Sequence, residues 1–197
     1  MGVNLIDQAF GMQGRTRSEV HVASRRAVIH RASASELEDQ MSVAERQAPE
    51  LRVQKWIGED GGRVVAPLKL SDFGTGAKIL FAFQHWCRGC HLHGFPTLRR
   101  LHGALGPQGV GFAVIQTVFE GAHENTFEKL RVNQLKYELP VAFGHDEPPA
   151  GATLPTFMED YRTRGTPWFT VIDAGGRIVF SDFHLDEDQL VKELELA

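Results

Sequence analysis

One junction constrains this chain more than any other. Cys87-Arg88-Gly89-Cys90 follows the apolar run Ile79-Leu80-Phe81-Ala82-Phe83, with Trp86 immediately before the first cysteine. Lys78 to Phe83 reads as a buried central strand. Leu92, Phe95, Leu98, Leu101 and Leu105 then recur at helical spacing, and Pro96 predicts a kink in that helix. The cysteine pair therefore sits where a strand hands over to a helix. Backbone N–H groups and the helix dipole favour a thiolate there. The thiolate is the nucleophile of disulfide exchange, so Cys87 is the expected nucleophile. Cys90, one turn on, is placed to resolve the mixed disulfide. Arg88 is expected to add positive charge and lower the Cys87 pKa further.

These are the only two cysteines in 197 residues. One pair makes no disulfide scaffold, which leaves catalysis, metal binding or haem attachment. Residues 87–91 spell C-x-x-C-H, and His85, His91 and His93 suit zinc or copper by type. Haem attachment needs an export route, and Met1 to Arg31 has no apolar core of secretory type. No cofactor and no metal are expected. The net charge of −4 gives no footprint for nucleic acid or an anionic membrane. No apolar run is long enough to span a bilayer. The expected location is the cytoplasm.

Residues 1–40 are rich in Arg and Ser and poor in large apolar residues. They are expected to be a poorly ordered extension, because little apolar burial offsets their ordering entropy. Residues 35–47 read as a short helix with a thin apolar stripe. The domain is expected to occupy 41–197. Leu51 to Trp56 alternates like a strand, and Gly61-Gly62 makes a turn. Val110 to Val118 is a second buried strand. Asn125, with Glu128 three residues on, predicts an N-cap for a helix ending near Tyr137. Leu154 to Arg162 is a short helix. Strands at 168–172 and 177–180 flank the hairpin turn Asp173-Ala174-Gly175-Gly176. Asp186 with Gln189 opens a last helix. A right-handed crossover places the strands ending at Phe83 and Val118 side by side and parallel.

Trp86-Cys87-Arg88-Gly89-Cys90, Gly165-Thr166-Pro167 and the strand–turn–strand from Pro167 to Val179 together resemble the TlpA-like thiol–disulfide oxidoreductases of the thioredoxin-like, or redoxin, superfamily. The resemblance covers about three quarters of the chain, residues 48–197. It implies an α/β fold, a three-layer α/β/α sandwich with a mixed central sheet. It also implies that Pro167 is cis and lines the groove facing the dithiol, with Trp86 and Thr166 shaping that groove. The family often carries Glu three residues after the second cysteine, where this chain has His93. His93, or Glu120 at the end of the neighbouring strand, is the candidate for carrying the Cys90 proton. The peroxiredoxin pattern places Pro and Thr seven and three residues before its reactive cysteine. Leu80 and Gln84 stand there instead.

The expected function is exchange of a CxxC dithiol with protein or small-molecule disulfides, recycled by a separate reductant, with a homodimer left open as the assembly. The alternatives are a thioredoxin-fold module that binds a metal or a partner without turnover, and a thiol peroxidase.

Overall fold

The computed structural model describes residues 46–64 and 66–195. The extension expected at 1–40 lies outside the described residues, as does all but the end of the helix expected at 35–47. Gln47 is not helical but bridges Arg177 in antiparallel fashion.

The strands among the described residues are β1 (Lys55–Ile57), β2 (Arg63–Val64), β3 (Lys78–Phe83), β4 (Gly111–Thr117), β5 (Ala142–Asp146), β6 (Trp168–Ile172) and β7 (Ile178–Asp182). The α-helices are α1 (Phe95–Leu105), α2 (Glu128–Tyr137), α3 (Thr156–Tyr161) and α4 (Glu187–Glu195). The strands form one mixed sheet in the order β2-β1-β5-β4-β3-β6-β7. β3, β4 and β5 run parallel, with Phe81 opposite Val114 and Val114 opposite Phe143. β6 and β7 continue antiparallel on one side, β1 and β2 on the other.

β3 is buried from end to end because both of its faces are covered. Ile79, Phe81 and Phe83 pack with Phe95, Leu98, Leu101 and Leu105 of α1, Leu130 of α2 and Leu190 of α4. Leu80 and Ala82 point the other way, onto Trp56, Phe157 and Tyr161. This is the expected three-layer sandwich. Each fully buried Leu or Phe adds about 1.5–3 kcal/mol, which is why the sheet centre holds the dithiol junction steady. No helix among the described residues is long and apolar enough to cross a membrane.

Several expectations need correction. Of the alternating stretch only Lys55 and Trp56 lie in a strand, β1, which runs on to Ile57. Leu51 and Val53 are buried as the alternation implies, but residues 51–54 have no partner strand. β5 has no counterpart in the sequence reading. It is short, it ends in the buried polar residues His145 and Asp146, and it holds Gly144 under the Trp56 ring. A β-carbon at Gly144 would lie 2.9 Å from the Trp56 ring, so a feature that reads as strand-breaking is a packing requirement. Asn125 does not cap α2, whose N-cap position is Phe127. Leu92 is 56% exposed and lies outside the buried stripe. The Asp186 cap does form, with the Gln189 N–H donating to Oδ1 over 3.0 Å.

The break near Pro96 is a wide turn rather than a kink. Cys90–Gly94 forms a π-helical turn closed by the Phe95 N–H donating to the Cys90 carbonyl. Pro96 follows in the first turn of α1, where its missing N–H costs least. Single π turns inside helices often mark functional positions.

Candidate active site

Both cysteines are free thiols, Cys87 partly exposed and Cys90 fully buried. The Cys87 N–H donates to the Gln84 carbonyl over 3.1 Å, and the His91 N–H donates to the Cys87 carbonyl over 3.3 Å. This winding aims the Cys90 N–H at the Cys87 sulfur, with N and Sγ 3.2 Å apart. As a thiol, Cys87 donates in turn to the Thr166 carbonyl over 3.5 Å.

These contacts separate the two thiols electrostatically. The Cys87 pKa falls from 9.0 to about 6. The largest cause is hydrogen bonding from the Cys90 thiol, reinforced by the Thr166 side chain and by the N–H groups of Cys90 and Gly89, against an opposing desolvation. Cys90 moves upward, first because it is buried and then because the Cys87 sulfur holds its proton. One thiol is thereby a partly exposed thiolate near neutral pH, and its neighbour keeps its proton. Arg88 was expected to supply part of that shift. It is exposed, and the hydrogen bonds account for the shift instead.

The Thr166–Pro167 peptide bond is cis. Pro167 faces the dithiol turn. A β-carbon at Gly89 would lie 3.3 Å from its Cδ, and one at Gly94 would lie 3.1 Å from its Cβ and 2.5 Å from the Phe81 ring. Both positions are glycine, so the proline loop can approach the turn closely. Trp86 is 50% exposed, with Nε1 donating to Gln84 Oε1 over 3.0 Å. Its ring lies over Gly121. Trp86 thus directly precedes Cys87, the Thr166 carbonyl meets the Cys87 sulfur, and Pro167 lies against the Gly89 and Gly94 positions of the turn.

The two proton-carrier candidates are placed differently. His93 and Glu120 are both exposed, while Cys90 is buried. The wide turn after Cys90 carries His93 outward to solvent. Glu120 lies beyond the end of β4, and it is its carbonyl that is engaged, by Gln84 and Asn125. No hydrogen bond joins either side chain to Cys90 among the described residues.

Other residues do hold the dithiol loop. Asn125 is 1% exposed. Its Oδ1 accepts the His85 N–H over 2.6 Å, and its Nδ2 donates to the carbonyls of Glu120 and Gly121, each over 3.1 Å. His91 Nε2 lies 2.5 Å from the His85 carbonyl, and its Nδ1 lies 2.6 Å from the Tyr137 hydroxyl. Asn133 Nδ2 sits 3.0 Å from His85 Nδ1. Burial, then Lys129 and His91, push the His85 pKa down. His91 was visible in the sequence only as the last letter of C-x-x-C-H and as a metal-type side chain, and nothing in the spacing marks Asn125 as the acceptor of the His85 N–H. With both His91 nitrogens engaged and His85 Nδ1 occupied, these rings are poorly placed to ligate haem iron or a metal. Among the described residues no cluster of three or more His, Cys, Asp or Glu side chains suits a metal ion.

No family model and no curated protein matches this sequence. Solved structures do match. A crystal structure described as a thioredoxin-like superfamily protein is 29% identical, with a TM-score of 0.66 over 76% of this chain and 94% of that one. The chain is a member of the thioredoxin-like superfamily. A thiol-disulfide isomerase from Corynebacterium glutamicum is 28% identical, with a TM-score of 0.63 over 75% of this chain and 96% of that one. The thioredoxin domain of a thiol-disulfide oxidoreductase from Bacteroides vulgatus shares the thioredoxin-like fold at 18% identity, with a TM-score of 0.56 over 78% of this chain and 96% of that one.

Proposed function

We propose that this thioredoxin-like protein is a thiol–disulfide oxidoreductase of the TlpA-like kind, with Cys87 as nucleophile and Cys90 as resolving thiol. The observation that carries the reading is the split between the two thiols. Cys87 titrates at about 6 at a partly exposed position, and Cys90 is buried beside it and stays protonated. A binding module has no use for such a split. In disulfide exchange it readies Cys87 for attack near neutral pH and keeps Cys90 in reserve.

The steps balance as follows. The Cys87 thiolate attacks one sulfur of a substrate disulfide. A Cys87–substrate S–S bond forms, the substrate bond breaks, and the first substrate thiolate leaves and takes up a proton. Cys90 then loses its proton and attacks Cys87 Sγ. The Cys87–Cys90 disulfide forms, and the second substrate thiolate leaves with a proton. Two electrons have passed from the dithiol to the substrate, and a separate thiol reductant restores the dithiol. Run backwards, the same steps oxidise a substrate dithiol. Pro167 has no N–H, so it leaves the groove wall open for an extended segment to lie beside the Thr166 backbone. Trp86 forms the opposite rim.

Insulin reduction with a recycling thiol tests this reading. The wild type should turn over, Cys87→Ser should be inactive, and Cys90→Ser should accumulate a mixed disulfide. A wild type without turnover, and a Cys90→Ser variant that traps no partner, would leave the chain a binding module. Consumption of peroxide at rates above disulfide exchange would make it a peroxidase.

A further inference from the structure

The first residue after the dithiol is engaged at both ring nitrogens, and neither contact reaches a cysteine. His91 Nε2 meets the carbonyl of His85, six residues back, and its Nδ1 meets the Tyr137 hydroxyl on α2. A carbonyl oxygen only accepts, so Nε2 carries a proton. The imidazole therefore closes the dithiol loop upon itself and ties the closed loop to a second helix. The ring is held in plane as well as by its edges. It stacks at 5.8 Å on Phe95 and at 5.8 Å on Tyr137, which themselves stack at 4.1 Å. His85 is pinned on its other side by Asn125. His85, two residues before Cys87, is thus fixed from the far end of the same turn.

The N–H groups of Gly89 and Cys90 stabilise the Cys87 thiolate only while the turn from 84 to 91 keeps its shape. Two other groups act on that sulfur. They are Cys90 from within the turn and Thr166 from the Pro167 loop, with Arg88 exposed on the same turn. None of these fastens residue 85 to residue 91. His91 does.

We infer that His91 is a positioning residue for the dithiol: its bridge from the His85 carbonyl to Tyr137 holds the N–H donors on the Cys87 sulfur and so sets how oxidising the Cys87–Cys90 disulfide is. The inference rests on the oxidoreductase reading for its biological meaning. Its test does not, because alkylation of Cys87 needs no turnover.

The experiment titrates the rate of Cys87 alkylation by iodoacetamide against pH, and the equilibrium of the full chain with reduced and oxidised glutathione. The variants are His91→Ala, His91→Gln and Tyr137→Phe, with melting temperatures recorded for each. His91→Ala should raise the alkylation midpoint by about one pH unit and make the disulfide about fivefold less oxidising at pH 7. Tyr137→Phe should move both in the same direction by less. His91→Gln, whose amide N–H replaces Nε2–H, should restore most of both. A folded His91→Ala with an unchanged midpoint and an unchanged glutathione equilibrium overturns the inference. So does a variant that melts lower while both readouts stay put, since His91 then only packs. Should His91→Ala fail to fold, an unmoved midpoint in Tyr137→Phe overturns it equally. A wild type that titrates normally yet reduces no disulfide would count against the function and not against His91.

Discussion

The Cys90 N–H donates to the Sγ of Cys87 across 3.2 Å, so the residue proposed to resolve the mixed disulfide stabilises the thiolate of the proposed nucleophile. The Cys90 thiol is also the strongest single influence on the Cys87 pKa. In the proposed exchange, one residue therefore both sharpens the first step and completes the second.

The alkylation rate of Cys87 should rise through a midpoint near 6 and be close to its plateau at pH 7, while Cys90 stays unmodified in the native protein. Cys90→Ala should move the midpoint up towards 9.0. Mass spectrometry of the modified peptides checks both. Modification of Cys90 ahead of Cys87 would reverse the assignment.

The same shift has a sign for stability. Cys87 titrates lower in the folded state than its ordinary value of 9.0. Its contribution to folding is therefore full above pH 9.0 and fades as the pH falls through about 6. The melting-temperature gap between reduced wild type and Cys87→Ala should widen from pH 5 to pH 8. A gap independent of pH would mean the thiolate is not held as described.

Gly94→Ala should destabilise the protein by about 1–3 kcal/mol through overpacking. The added methyl meets the Phe81 ring at 2.5 Å and Pro167 at 3.1 Å. Pro167 should be displaced, so disulfide exchange should slow as well. Chemical denaturation and insulin reduction measure the two effects.

Asn125→Ala should cost about 1–3 kcal/mol, because it leaves the part-buried main-chain N–H of His85 without its acceptor. Exchange activity should fall even at temperatures where the variant is fully folded. Phe95→Ala, by contrast, should lower stability by about 3–5 kcal/mol, since the ring is fully buried among Phe81, Phe83 and Tyr137.

Trp86→Ala should barely change the melting temperature, because half of the side chain already faces solvent. Its effect should fall on KM for a protein disulfide, with kcat little altered, as expected for a residue that only docks substrate. Equal loss in kcat would place Trp86 in the chemistry instead.

Much of the fold is written locally. The uninterrupted apolar run of β3, the helical stripe of α1 and the β6–β7 turn at 173–176 each arise from residues a few positions apart, whose periodicity reports which face is buried. The CxxC and the Thr166-Pro167 pair could be named in the same way. β5 could not, because its pattern ends in buried polar residues and its glycine answers to Trp56, far away in sequence. The stripe of α2 was hidden too. That helix turns Asn133 and Gln134 inward, where Gln134 donates to the Gly58 and Val141 carbonyls, and leaves Val132 and Leu135 outside.

The sequence by itself determined that a redox-capable dithiol stands between a buried strand and a helix, because hydrophobic period and short cysteine spacing are local properties. Tertiary structure alone decided what holds that dithiol in place. Asn125 reaches His85 across 40 positions, Tyr137 reaches His91 across 46, and Thr166 reaches Cys87 across 79. Hydrogen bonds at such separations leave no periodic trace in the chain. Each depends on two elements being brought together by the packing of others, and a polar side chain looks the same in sequence whether it faces water or a buried loop.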